Sequence, residues 1–179
     1  MLEGITGSGK TEVYLQAIEP LLCDGKQVLI LVPEIGLTPQ TVSRFEKRFG
    51  IAVGVLHSQL SDKERLQVWQ RARAGELGII IGTRSAIFTP LHNPGMLIVD
   101  EEHDESFKQQ DGLRYHARDL AAMRAKQHNI PLLLGSATPA LETLNNALSG
   151  RYAHLQLTKR AGGAKSTHQH VLDARDQPI

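Results

Sequence analysis

Two rhythms of apolar and polar positions run along the chain. Near-continuous apolar runs at Gln27–Val32, Gly78–Ile81 and Met96–Val99 read as strands buried on both faces. Ile51–Leu56, Pro131–Leu134 and Tyr152–Leu157 read as further short strands. Between them lie stretches of helical period. Thr11–Cys23 places Val13, Ala17, Ile18, Leu21 and Leu22 on one side, with Pro20 expected to kink or end it and Asp24-Gly25 to close it. Helices are also predicted over Thr38–Phe49, Ser61–Ala74, His116–His128 and Pro139–Leu148, and Ser61 with Glu64 has capping-box spacing. This alternation predicts an α/β fold, a mostly parallel sheet with helices on both faces, whose ligands bind at the carboxyl ends of the strands.

Bulk properties narrow the picture. A chain of 179 residues is long enough for one domain with a sizeable core. No apolar run approaches the ~20 residues that span a bilayer, and residues 1–11 are polar and Gly-rich, unlike a signal peptide. The single Cys23, read as a buried or half-buried helix residue, excludes a disulfide framework and fits a reducing cytoplasm. The net charge of +1 means that any nucleic-acid binding must come from a local patch. Only Met1, Leu2 and Glu3 precede Gly4, so the first strand reads as clipped, as if cut from a longer protein. Residues 158–179 are mostly polar and read as a linker leaving a domain of residues 1–157.

Three motifs fall just after predicted strands. Gly4-Ile5-Thr6-Gly7-Ser8-Gly9-Lys10-Thr11 fits G-x-x-x-x-G-K-[ST], the loop that cradles the phosphates of ATP or GTP. Glycines let successive backbone N–H groups point at phosphate oxygens, Lys10 supplies charge for the β- and γ-phosphates, and the Thr11 hydroxyl is a ligand for Mg²⁺. Asp100-Glu101-Glu102-His103 ends a buried strand in an acidic cluster. We assign Asp100 to the metal, through its water shell, and Glu101 to orienting and deprotonating the attacking water. In Ser136-Ala137-Thr138 the hydroxyls could bond the acidic cluster and link nucleotide state to a second surface, or simply form a turn and helix cap. Together with Glu102 and His103 these are candidate coupling residues.

In this order the three motifs resemble the first RecA-like lobe of a superfamily 2 helicase. Val32–Gln40 (VPEIGLTPQ), Gly82–Phe88 (GTRSAIF) and Asp100–Arg118 (DEEHDESFKQQDGLRYHAR) narrow the resemblance to the bacterial replication-restart, or primosomal, DNA helicases, over about residues 1–160. The resemblance implies an ATP- and Mg²⁺-dependent motor moving 3′ to 5′ on single-stranded DNA. It implies action at stalled or branched forks in the bacterial cytoplasm, with primosome proteins and single-strand binding protein as partners of the full-length protein. It also implies that Pro33–Gln40 and Gly82–Ser85 touch the DNA backbone. Pro33, Thr38, Thr83 and Arg84 are candidates, though Arg84 could equally be a surface arginine or an internal salt-bridge partner.

The segment after the acidic box resembles the aromatic-rich loop that couples DNA binding to hydrolysis. Phe107 and Tyr115 could stack on bases there, or pack against the following helix; His116, Lys108 and Arg114 lie beside them, and Leu113 departs from the aromatic expected at its position. The second lobe, which would supply an arginine finger, and the adenine-reading and cysteine-rich zinc segments of the family have no counterpart in these residues. The chain alone is therefore expected to hydrolyse ATP very slowly and not to unwind DNA. An RNA helicase, a double-strand translocase or a non-motor nucleotide-binding module remain the alternatives. His57-Ser58 is expected to line the cleft or be structural, and His168-Gln169-His170 lacks metal-ligand spacing with any partner.

Overall fold

The computed structural model describes residues 1–161. Its elements run in the order β1 (Leu2–Gly4), α1 (Lys10–Cys23), β2 (Gln27–Leu31), α2 (Pro39–Phe49), β3 (Val53–Leu56), α3 (Asp62–Arg73), β4 (Ile79–Gly82), β5 (Pro94–Asp100), β6 (Lys108–Gln109), β7 (Tyr115–His116), α4 (Ala117–His128), β8 (Leu132–Ser136), α5 (Leu141–Leu148) and β9 (Leu155–Leu157). Seven strands form one parallel sheet in the order β3-β4-β2-β5-β8-β1-β9, as the alternating pattern predicts, and β6 with β7 makes a separate antiparallel pair.

The sheet's two faces separate by the two-residue period of a strand. Val28, Ile30 and Val32 join Tyr14, Leu15, Ile18 and Phe45 of α1 and α2 in one core cluster. Leu29 and Leu31 join Ala72 of α3, Ala117, Ala121 and Ala125 of α4, and Phe107 in the other. Burial on both faces is why these strands are apolar throughout. The small alanines of α4 let its axis lie close to the sheet.

Strand β1 has three residues, yet pairs on one side with β8 and on the other with β9. Pro20 does not end α1, which runs on to Cys23 before Asp24 and the left-handed Gly25 (φ 66°) close it. Thr38 caps α2, and Ser61 and Glu64 form the expected capping box on α3. Cys23 is exposed, a correction to its reading as a buried or half-buried residue. Three 3₁₀ turns, at Glu34–Gly36, Arg84–Phe88 and Glu105–Phe107, and the β6–β7 pair carry no apolar periodicity and were not predicted. His116 is the cap of α4 and not its first residue. Of the expected linker, only residues 158–161 are described; its remainder, including His168 and His170, lies outside the described residues.

Candidate nucleotide site and nucleic-acid cleft

The register of the sheet assembles the site. Asp100 at the end of β5 pairs with Gly135 of β8, and Ser136 pairs with Glu3 of β1. All three sequence motifs therefore emerge side by side from the carboxyl edge.

The phosphate loop bends through Gly7 (φ 78°) and Gly9 (φ 94°), a conformation that strains any residue with a Cβ. A Cβ on Gly4 would overlap the Ser8 hydroxyl. Lys10 is only 9% exposed; its Nζ donates to the Gly4 carbonyl at 2.9 Å and lies 3.5 Å from Glu101 Oε1. The Ser8 hydroxyl is buried with no hydrogen-bond partner among the described residues. An orphaned hydroxyl, a buried ammonium, two left-handed glycines and the free N–H groups of a helix start are the donor set of a polyphosphate site, so these residues fit a nucleotide. Thr6 sits on the exposed crest of the loop. Ala161 N–H donates to the Gly7 carbonyl at 2.9 Å, which brings the chain after β9 back over the loop.

Thr11 and Asp100 face one cavity of about 260 Å³, together with Tyr14, Glu101 and His103. One hydroxyl and one carboxylate lining the same cavity suit Mg²⁺, which keeps several waters and needs few protein ligands. Burial pushes Asp100 up from the usual carboxylate value, and the Tyr14 hydroxyl, donating to Oδ1 at 2.7 Å, opposes that shift. Glu101 takes a left-handed backbone (φ 47°), which is uncommon for a residue with a long side chain and is held here by the bonds on either side. Its carboxylate lies between Lys10 and His103, whose Nδ1 is 3.7 Å from Oε2.

The coupling residues divide. His103 Nδ1 and Ser136 Oγ share a 2.7 Å hydrogen bond, and Ser136 Oγ also accepts from Thr138 N–H at 3.0 Å. The serine thus bonds the histidine of the box and not its carboxylates. Ala137 is half-buried beside it, and the Thr138 side chain is exposed. Glu102 is fully buried and turns the other way, accepting from Ala140 N–H (2.8 Å), Thr143 Oγ1 (2.8 Å) and Arg118 Nη1 (3.2 Å). It fastens the start of α4 to the start of α5, a link that no local motif signals.

A second cleft of about 160 Å³ lies farther along the edge, lined by Glu34, Ser58, Thr83, Arg84, Ser85, Ser106, Gln109 and Tyr115. Ser58 also lines an adjoining hollow with His57 and Glu34; Ser58 Oγ donates to Glu34 Oε1. Arg84 Nη1 donates to the Ser106 (3.1 Å) and Lys108 (3.0 Å) carbonyls, so it ties the loop after the acidic box to the strand-end turn. Among the described residues its partners are these backbone carbonyls and not a carboxylate.

Two of the expected DNA contacts, Phe107 and Pro33, need correction. Phe107 is 0% exposed, in the α4-side core, and cannot stack on a base. The Thr38 hydroxyl accepts Thr41 N–H at 3.2 Å as a helix cap. Pro33 is buried and faces the Thr11–Asp100 cavity and not the cleft. Thr83 is nearly buried but reaches the cleft, and Tyr115 is half-buried, edge-on to Phe88 at 5.1 Å. Among the described residues no group of three or more His, Cys, Asp or Glu could hold a metal by itself.

A DEAD/DEAH box helicase family model matches residues 1–147. Over its whole length the chain is 59% identical to the Replication restart protein PriA of Haemophilus influenzae, of which it covers 24%. It is 48% identical over 99% of its length to the Replication restart protein PriA of Bacillus subtilis, covering 22% of that protein. The chain thus spans about a quarter of the length of these curated relatives. Among solved structures, RecG bound to a three-way DNA junction matches 92% of this chain and 21% of its own, with a TM-score of 0.64 and 25% identity. The Pyrococcus furiosus Hef helicase domain matches 87% of this chain and 34% of its own, with a TM-score of 0.60 and 21% identity, and bears on the fold alone.

Proposed function

Because the chain belongs to the DEAD/DEAH box helicase family, we propose that it is the ATP-binding first motor lobe of a replication-restart DNA helicase. Membership of the family implies use of a nucleotide with a metal. The finer reading rests on one observation: the phosphate loop after β1 and the acidic box after β5 meet across the end of β8, with Lys10 Nζ 3.5 Å from Glu101 Oε1. The high identity to restart proteins supports restart as the setting, and RecG on a branched DNA supports a DNA substrate.

In this reading the backbone N–H groups of Gly7, Gly9 and Lys10, the Ser8 hydroxyl and the Lys10 ammonium hold the β- and γ-phosphates of ATP. Thr11 and, through water, Asp100 would hold Mg²⁺, which would supply charge neutralisation to the phosphates. Glu101 orients the attacking water and accepts its proton at a carboxylate oxygen. His103 and Ser136 join the box to the strand end of β8. The cleft at Thr83, Arg84 and Tyr115 receives the backbone of single-stranded DNA. A second lobe of the full-length chain would close the site and supply an arginine. The motor would run 3′ to 5′ at branched forks in the bacterial cytoplasm, meeting primosome proteins and single-strand binding protein through the whole protein.

The test is ATP hydrolysis by the full-length protein carrying this lobe, with single-stranded DNA, RNA or neither, alongside Lys10→Ala. DNA-stimulated turnover lost in the variant is expected. Stronger stimulation by RNA would replace the DNA reading, and turnover that survives Lys10→Ala would remove the nucleotide assignment.

A further inference from the structure

Tyr14 reaches from the helix behind the phosphate loop to the first carboxylate of the acidic box. It is 2% exposed, and its hydroxyl donates to Asp100 Oδ1 at 2.7 Å. The same oxygen accepts Glu101 N–H at 3.1 Å. Two donors on Oδ1 fix the carboxylate plane and leave Oδ2 as the oxygen available to the cavity that Thr11 shares. The space for this arrangement comes from β8. Gly135 pairs with Asp100 across the ladder, and a Cβ built on it would overlap the Tyr14 hydroxyl and lie 3.4 Å from Asp100 Oδ1. Gly135 is not a turn glycine; its φ is not in the left-handed region, so the tyrosine's approach is the reason a side chain is excluded.

We infer that Tyr14 is a positioning residue for the metal, holding the Asp100 carboxylate by one oxygen so that the other faces the Mg²⁺ water shell. This rests on the assignment of Asp100 to the metal made above. A partner of this kind acts on affinity through orientation. Loss of such outer-shell bonds typically weakens metal binding by about 10- to 100-fold. Because the Tyr14 hydroxyl touches no phosphate group in this reading, its loss should leave metal-free nucleotide binding alone.

The experiment is a Mg²⁺ titration of non-hydrolysable ATP analogue binding by the full-length protein carrying this lobe. It compares wild type, Tyr14→Phe and Asp100→Asn, with analogue affinity in EDTA and the metal-free thermal midpoint measured beside each. Tyr14→Phe is expected to raise the Mg²⁺ midpoint about tenfold, with EDTA affinity unchanged and Asp100→Asn shifted at least as far. Gly135→Ala, which displaces the hydroxyl without removing it, should reproduce the Tyr14→Phe shift. An unchanged midpoint in Tyr14→Phe while Asp100→Asn shifts would overturn the inference and leave the metal assignment standing. An equal loss of affinity with and without Mg²⁺ would also overturn it, since that marks a packing role. If Asp100→Asn shifts nothing, the metal assignment itself is wrong and the inference goes with it.

Discussion

The acidic box (residues 100–103) and the loop that follows it (residues 104–116) are neighbours in sequence and opposites in construction. Each side chain of the box has a tertiary partner from a different strand end or helix: Tyr14 for Asp100, Lys10 for Glu101, Arg118 and Thr143 for Glu102, Ser136 for His103. In the loop, Phe107 is buried and Arg84 holds two backbone carbonyls, whereas Gln110, Asp111, Gly112, Leu113 and Arg114 are exposed. Hydrolysis needs geometry fixed to a fraction of an ångström, while a strand of variable sequence needs a surface that adapts. In the proposed reading the two tasks sit on adjacent segments, the loop held by Arg84 from the end of β4 and the box held by Glu102 to the starts of α4 and α5.

The largest effect expected from this contrast is on the box. Glu101→Gln in the full-length protein should lower ATP turnover by about 10²- to 10⁴-fold while nucleotide affinity changes little. Parallel turnover and binding assays check it. Equal losses in both would mean that Glu101 supports the Lys10 ammonium and not the water.

Within the loop, the division between anchor and surface can be measured directly. Phe107→Ala should destabilise the chain by roughly 3–5 kcal/mol, because a large ring leaves a cavity against Ala117 and Ala121. Leu113→Ala, at a residue 79% exposed, should fall within about 0.5 kcal/mol of wild type. Urea unfolding of both variants decides it. Similar costs would mean that the loop does not divide into a buried anchor at Phe107 and an exposed surface at Leu113.

How far each region was legible follows the same line. The phosphate loop, the acidic box and the strands were readable because their residue types answer to local rules: glycines at positive φ, apolar runs in a doubly covered sheet, carboxylates after a strand. Thr38 and Ser61 were legible as helix starts for the same reason. The pairing of Glu102 with Arg118 and Thr143 joins residues 16 and 41 positions apart, and no spacing rule reaches that far. Phe107 misled because an aromatic near a binding loop looks the same in sequence whether it faces solvent or the core. Tyr14 was hidden because a tyrosine on the apolar side of a helix reads as packing, and only Gly135 opposite shows that its hydroxyl has a destination.

A smaller effect is expected at the junction. Arg84→Ala removes both bonds to the Ser106 and Lys108 carbonyls. At a half-exposed site we expect a cost of about 1 kcal/mol, below the range for charged hydrogen bonds in general. The loop should then open more often, and trypsin should cut after Lys108 or Arg114 roughly fivefold faster, while the global unfolding midpoint moves little. Unchanged cleavage would show that the loop is held by Phe107 alone.

The smallest effect is a pH dependence at the end of the same loop. Burial, with the Arg118 charge next in importance, holds His116 below the ordinary histidine value. Its Nδ1 accepts Arg118 N–H at 3.3 Å as the cap of α4, which requires the neutral ring. A histidine depressed in the folded state takes up its proton more readily once unfolded. Its contribution is therefore complete above the unfolded value of about 6.5 and is lost as pH falls from there through the lower folded-state value. Stability measured by urea unfolding should decline between pH 7.5 and 5.5. His116→Asn, which keeps a capping oxygen without a titrating group, should show a shallower decline. An equally steep decline in the variant would place the acid sensitivity in other groups, and the end of the loop would then be anchored by the Arg118–Glu102 pair without help from its cap.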